Sequence, residues 1–371
     1  MNFTGIDLHT NRFTCCYRNE LSSVQNPRKG REVKTFDLTE PGLTDFYQTL
    51  TKDTYVPVEA TITTFSFARL IKDRVKEVII ANTYELKQIS LARCNTDKID
   101  ADKLCRILKA QVLSGEQPIS PVVLPPVEIQ DLRSLFTTYR LYKKQNTRLK
   151  NRIHSLLKER LFGFTREEIF SNKRGALIRN ISPGTTMQFQ INLLPDRLER
   201  DEADIAELEN QVLLGAEPFM KEIEILTGMK GVSVFIATAV IADIIDVSRF
   251  KDSKAFTSYP RPAPGVSNSN TSVSNCGTNK KGGKLAATLI TQSLNHVLDA
   301  GEKLRRWYDR LCGYKKPGPV RTGLRRRVFA EIFRMLKKRE YHYARDIAKH
   351  ELKMNLYRNF LAKRKKFSEI A

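Results

Sequence analysis

The stretch Asn2-Phe3-Thr4-Gly5-Ile6-Asp7-Leu8-His9-Thr10-Asn11-Arg12-Phe13-Thr14-Cys15-Cys16-Tyr17 opens the chain. Residues 3–7 and 12–17 read as two short strands, and His9-Thr10-Asn11 between them suggests a hairpin. Residues 33–38 supply a third strand, 41–52 a helix and 55–59 a fourth strand. A helix over 65–72 and a strand over 75–80 follow, then a helix over 96–113 with Thr96 as its N-cap. Three opening strands followed by alternating helices and strands predict a mixed sheet with helices packed on it.

Beyond this α/β module, the Pro-, Val- and Ser-rich run 118–126 reads as a linker. Leu132, Leu135, Tyr139, Tyr142, Asn146, Leu149, Ile153 and Leu156 then recur at alternating steps of three and four, a heptad seam with one Asn at a core position. A coiled-coil arm or helical hairpin follows from that pattern, with residues 198–213 as an antiparallel partner and Gly163, Gly175, Pro183 and Gly184 breaking the two helices. A third, mainly helical module starts near Ile223. It holds a small-residue apolar helix (231–245), a polar loop (260–283) that is either disordered or held by a ligand, and a further apolar helix (284–298).

Composition narrows the function. The 371 residues carry 63 Lys plus Arg against 41 Asp plus Glu, a formal charge of +22, which points to a polyanion and most directly to nucleic acid. Residues 301–371 hold 22 of those cations against 7 acids, clustered at 303–306, 325–327, 337–339 and 363–366. Trp307, Tyr308, Tyr314, Phe329, Phe333, Tyr341 and Tyr343 are interleaved, either to stack on bases or to fill a small core. A hydrophobic content of 41% excludes a disordered tail protein. The longest apolar stretch falls short of the roughly 20 residues of a membrane span, and the N-terminus reads without a signal peptide. Six cysteines without Cys-x-x-Cys or zinc spacing fit a reduced, cytosolic chain. The acidic run 196–209 reads as a solvated helix face.

Two sets of residues carry possible chemistry. Asp7 and Glu59 end strands that can lie side by side, and Asp97 and Asp100, three apart on a helix, share a face while Asp102 points elsewhere. Four such carboxylates suit hard cations, and two divalent ions about 4 Å apart can stabilise a phosphodiester displacement. Asp97 and Asp100 can equally serve as partners of the helix N-terminal dipole. In the polar loop, Ser267 and Ser269 lie among basic residues (Lys280, Lys281, Lys284), where a serine can attack a phosphate; serines there are also common turn formers. His296 reads as a helix-surface residue.

Together these residues resemble the DEDD transposases of the type 110 insertion sequences and the related Piv-type DNA invertases. Gly5-Ile6-Asp7 is similar to the family's first acidic motif, Val58-Glu59-Ala60-Thr61 to its second, and Thr96-Asp97-Lys98-Ile99-Asp100-Ala101 to its third. Residues 231–250, ending Asp246-Val247-Ser248-Arg249-Phe250, resemble its small-residue helix. Ala263-Pro264, Ser269, Lys280 and Gly282 follow the spacing of its serine motif, and Arg326-Arg327-Val328-Phe329 through Lys338 resembles its C-terminal helix. The resemblance implies an α/β, ribonuclease-H/RuvC-like domain (1–117), an all-α coiled-coil arm (126–218) and a mainly helical serine transposase domain (219–371). It further implies that Asp7, Glu59, Asp97 and Asp100 bind Mg²⁺ and that Ser269 forms a phosphoserine link to DNA. Arg325, Arg326, Arg327, Lys337 and Lys338, with the loop lysines, are the expected nucleic-acid contacts.

The implied partners are donor and target DNA, a structured guide RNA (bridge RNA), and further copies of the chain as dimers assembling to tetramers. In these, the acids of one subunit can meet the serine of another. The implied setting is the prokaryotic cytoplasm, at the nucleoid, with no membrane. Two positions depart from the family pattern: Asn270 follows the serine in place of Gly, leaving Ser267 as a lesser nucleophile, and Ser233 replaces a Gly of the helical repeat. The rival expectations are an invertase without an RNA guide, a RuvC-like junction nuclease using metal-activated water, and a non-catalytic nucleic-acid binder.

Overall fold

A computed structural model describes residues 1–21, 31–83, 86, 96–115, 121–159, 161–170, 185–260, 264–269, 272–278, 283–299 and 301–368. For 185, 187, 191, 264–269, 272–278 and 366–368 only the backbone is described. The chain divides into two units, Met1–Pro125 and Pro126–Ala371.

The first unit is built on a six-stranded mixed sheet in the order β3-β2-β1-β4-β5-β6. β1 (Asn2–Leu8), β2 (Arg12–Asn19) and β3 (Glu32–Asp37) form an antiparallel meander. β4 (Thr54–Glu59) joins β1 in parallel and β5 (Glu77–Ala81) joins β4 in parallel. The segment expected as a linker contributes a two-residue edge strand, β6 (Pro121–Val122), antiparallel to β5. Helices α1 (Glu40–Gln48) and α2 (Thr64–Ile71) cover one face, where Ile6, Phe13, Phe46, Phe67 and Ile71 form the core. Helix α3 (Asp97–Ser114) covers the other over Phe3, Cys16, Ala101, Cys105 and Leu108.

Strand alternation puts Phe3, Gly5 and Asp7 on the α3 side of β1. The helix lies so close at Gly5 that a Cβ there would stand 2.1 Å from the Ala101 carbonyl oxygen and 2.7 Å from the Cys105 nitrogen. Both obstacles are backbone, so neither can yield by changing rotamer. Gly5→Ala is therefore expected to destabilise the unit by about 3 kcal/mol, read as a lowered urea midpoint; an unchanged midpoint would show that α3 is free to lift. Farther along α3, the Arg18 guanidinium donates to Asp102 Oδ1 from Nε (2.9 Å) and Nη2 (2.7 Å), and Cys16 Sγ lies 3.2 Å from the same oxygen. Lys109 Nζ donates to the carbonyls of Asn19 (2.9 Å) and Glu20 (2.7 Å). Asp102 is thus a buried anchor pointing away from Asp97 and Asp100.

The second unit begins with the long helix α4 (Val127–Glu159), followed by α5 (Arg166–Phe170) and α6 (Thr185–Gly215). α4 and α6 run antiparallel: Leu132 packs on Gly215, and Lys150 Nζ pairs with Glu202 at 3.0 Å. The seam is broader than a strict heptad. Leu132, Tyr139, Asn146, Ile153 and Leu156 are buried as the spacing predicts. Ile129 and Phe136 join them because the N-terminal half also faces the helical body, and Leu157 joins them in a cluster with Ile169 and Leu198. Within the acidic run Asp201 is buried and paired with Arg197 at 2.9 Å, so that face is not wholly solvated.

The body consists of α7 (Met220–Thr227), α8 (Val234–Ile244), α9 (Ser253–Ser258), α10 (Leu285–Leu298), α11 (Glu302–Cys312), α12 (Pro317–Lys338) and α13 (Ile347–Ser368). They enclose one core that includes Ala237, Val240, Ile290, Phe329 and Tyr357. Gly231 adopts φ +84°, and a Cβ there would lie 2.9 Å from the Val297 nitrogen, so only glycine fits this turn against α10. Ser233 caps α8, its Oγ accepting from Ile236 N at 3.2 Å, which gives the hydroxyl a structural use. The polar loop contains an antiparallel hairpin, β7 (Pro264–Ser269) and β8 (Ser272–Thr278). α13 is docked rather than free: Met354, Tyr357 and Leu361 are buried, and Lys353 Nζ donates to the carbonyls of Thr227 and Val232, both at 2.9 Å. No described helix is long and apolar enough to cross a membrane.

Candidate functional site

Backbone geometry assembles an acidic cluster at one edge of the first unit. β1 and β4 are parallel neighbours with Ile6 opposite Val58, so Asp7 and Glu59 follow at the C-terminal ends of the two central strands. Thr96 caps α3, its Oγ1 accepting from Ile99 N at 3.4 Å, and sets Asp97 and Asp100 in the first helical turn. The close approach at Gly5 lays that turn beside Asp7. Burial raises the Asp7 carboxyl above its usual range; His9 lowers it in part, while Asp97, Asp100 and Glu59 each raise it further. That repulsion puts Asp97, Asp100 and Glu59 within electrostatic reach of Asp7.

The tightest grouping includes a residue that sequence reasoning left in a turn. His9 Nε2 lies 3.3 Å from Asp7 Oδ2 and 3.4 Å from Asp97 Oδ1, and one ligand atom each of Asp7, His9 and Asp97 all fall within 4.8 Å of one another. The missed signal was period: His9 is two residues beyond Asp7 on an extended chain, hence on the same side. Arg12 Nη2 approaches Asp97 Oδ2 at 3.5 Å, and Lys103 Nζ pairs with Asp100 Oδ1 at 3.0 Å. Carboxylate oxygens joined by one imidazole and open to solvent form a donor set suited to a hard divalent cation.

In the second unit Ser269 ends β7, paired with Ser272, while Ser267 pairs with Ser274. Lys280, Lys281 and Gly282 lie outside the described residues. Lys284 is exposed at the N-cap position of α10. The return of the hairpin into α10 is fixed by Asp243, a residue the sequence had not marked. Asp243 Oδ2 accepts from Ala286 N at 2.8 Å, and a Cβ on Gly283 would stand 2.7 Å from that oxygen. Arg133 reinforces the contact, donating to the carbonyls of Ala242 (2.7 Å) and Asp243 (3.1 Å). Burial raises the Asp243 carboxyl, opposed by the Ala286 N–H, Arg133, the Leu285 N–H and Arg140. Asp243→Ala leaves buried donors without a partner and is expected to cost about 2 kcal/mol, measurable as a shift in thermal midpoint. An unshifted midpoint would mean the carboxylate does not anchor α10.

The basic cluster on α12 is not one uniform surface. Arg325 is half-buried, donates to Thr291 Oγ1 at 3.3 Å and has its pKa lowered by burial, so it ties α12 to α10. Arg326 is exposed, and the Arg327 guanidinium lies 4.2 Å from the Trp307 ring centre. Lys337 and Lys338 are exposed in the last turn, where they complement the helix dipole. The interleaved aromatics divide as well: Phe329 is in the core, whereas Tyr314 and Tyr343 are exposed.

Against known families, residues 223–309 match the family described as Transposase IS116/IS110/IS902 family. The matched segment runs from α7 through α8, the serine hairpin and α10 into α11, and lies entirely in the second unit. Over these residues the chain is similar to insertion-sequence transposases, which act on DNA. No curated protein matches the chain.

Proposed function

We propose that the protein is a DNA transposase or site-specific recombinase that cuts and rejoins strands through a phosphoserine intermediate at Ser269. The observation that carries this is that the Ser269 hairpin lies inside the transposase-like segment 223–309, in a chain that separately brings three further acids within electrostatic reach of Asp7. In the reaction the Ser269 oxygen attacks the scissile phosphorus, and a deoxyribose oxygen leaves and gains a proton as the serine loses one. Attack on the phosphoserine by a strand-end hydroxyl reverses the exchange, so the energy of the phosphodiester is conserved. Asp7, Glu59, Asp97 and Asp100 would hold Mg²⁺, with His9 beside them. When bound, the metal supplies positive charge that stabilises the attacking and leaving oxygens.

The first unit's strand order, with an antiparallel meander followed by parallel crossovers, supports a ribonuclease-H-like fold for residues 1–117. The α4–α6 pair supports an arm over 126–218, ahead of the serine domain at 219–371. The charge of +22 suits polyanionic partners, which in this reading are donor and target DNA together with a structured guide RNA. Dimers assembling to tetramers would let the acids of one subunit serve the serine of another. The test is to incubate the protein with Mg²⁺ and end-labelled element DNA, then denature. A label that stays on protein supports this reading; cleaved DNA with nothing attached supports the metal-dependent nuclease instead, and no cleavage at all leaves only a nucleic-acid binder.

A further inference from the structure

A small cavity of about 190 Å³ opens between the end of α10, the start of α11, α12 and the segment leading to α13. Its floor includes Met229 and Val297, both buried, and its rim carries Arg327, Glu331, His342 and Tyr343. The cavity is smaller than the roughly 300–1,000 Å³ of drug-sized sites. It is near the approximately 150 Å³ that accepts one benzene ring. Its lining is that of a site for one flat, polar-edged ring.

Each rim group is held in place. Arg334 grips Glu331 with Nη2 at 2.7 Å from Oε1 and Nε at 3.0 Å from Oε2, which holds the carboxylate in one orientation as an acceptor. The Arg327 guanidinium lies over the Trp307 ring at 4.2 Å and has no carboxylate partner among the described residues. The Tyr343 ring is 67% exposed yet rests on the His342 ring with centroids 4.3 Å apart, so it is an aromatic face fixed at the mouth of the cavity. An aromatic platform, a cation without a carboxylate and a fixed acceptor, in a segment with 22 cations against 7 acids, match the chemistry of a nucleotide.

We infer that this pocket takes one unpaired nucleobase of a DNA or RNA strand. Tyr343 stacks on the base, Glu331 accepts from an exocyclic amino group at its edge, and Arg327 neutralises the adjoining phosphate. The inference rests on the reading that the helical body engages nucleic acid, but not on Ser269 chemistry. A paired base cannot enter, because its edge is occupied and it is stacked on both sides.

The test is fluorescence anisotropy of the full chain with 12-nucleotide oligo(dC), oligo(rC) and a duplex of equal length. Tyr343→Ala is expected to weaken single-strand binding about fivefold or more, the size of one lost base stack. Duplex binding should be unchanged and Tyr343→Phe should restore the single-strand affinity. Gly301→Leu supplies a second arm. Gly301 has φ −152°, open to any residue, and its Cβ would lie 3.5 Å from the Tyr343 hydroxyl, so the longer side chain fills the pocket and should give the same selective loss. A loss confined to oligo(rC) or to oligo(dC) identifies the strand that supplies the base. Equal single-strand affinity in Tyr343→Ala, or an equal loss on duplex, overturns the pocket while leaving the broader reading standing. A wild-type protein that binds none of the three probes overturns both.

Discussion

Ser269→Ala is expected to lower strand exchange by about 10⁴-fold or more, the scale seen when a covalent nucleophile is removed, and to eliminate the proposed protein–DNA adduct on a denaturing gel. Binding to nucleic acid should remain, because the cations of α12 and α13 are untouched. The substitution deletes one oxygen at the end of β7, where the ladder to β8 is made by backbone groups, so the hairpin has no reason to open. Ser267→Ala is the companion experiment. Ser267 sits two residues back on the same strand, opposite Ser274, and its replacement should leave the adduct intact. Normal exchange by Ser269→Ala would sink the assignment, and an adduct lost only in Ser267→Ala would move it two residues.

Asp97→Asn combined with Asp100→Asn is expected to cut Mg²⁺-dependent activity by roughly 10³-fold or more, since a bound metal contributes several kcal/mol to charge stabilisation. Stability should change little. Each acid in the first turn of α3 contributes about 0.3–1 kcal/mol through the helix dipole, but both also repel Asp7, whose carboxyl they push upward. Thermal shift gives the second readout. Mg²⁺ should raise the melting temperature of the native protein in a concentration-dependent way and leave the double variant unmoved. If the two aspartates served only the helix dipole, the variant would lose stability and keep its activity; that result rules out the metal assignment.

Much of the α/β unit was legible because its strands and helices obey local rules. Thr96 followed by two acids in the first turn announces the start of α3, and 55–59 reads as a strand whose end carries Glu59, one residue short of the observed Thr54–Glu59. The parts that escaped depend on partners distant in sequence. Pro121–Val122 is a strand only because β5 offers an edge to two residues. The β7–β8 hairpin, written in Gly, Ser and Asn, has almost no apolar periodicity, and its ladder of backbone hydrogen bonds leaves no mark on composition. Arg325 looks identical to Arg326 and Arg327 in the sequence, yet one step of about 100° around α12 turns it inward to Thr291. His9 and Asp243 were overlooked for the same reason: each acquires meaning from a residue on another element, Asp97 for the first and Ala286 for the second.

Helix α3 joins the acid pair at its start to the Arg18–Asp102 and Lys109 anchors farther along, with Gly5 pressed against the turn between them. A rigid rod of this kind has a fixed phase. One residue inserted between Asp100 and Asp102, or Ala101 deleted, would turn the acids about 100° and shift them about 1.5 Å relative to the anchors. The chain can therefore vary its side chains along this helix far more readily than its length. Sequence drift in α3 should proceed by substitution alone, and a designed one-residue insertion should uncouple folding from metal binding in a single step.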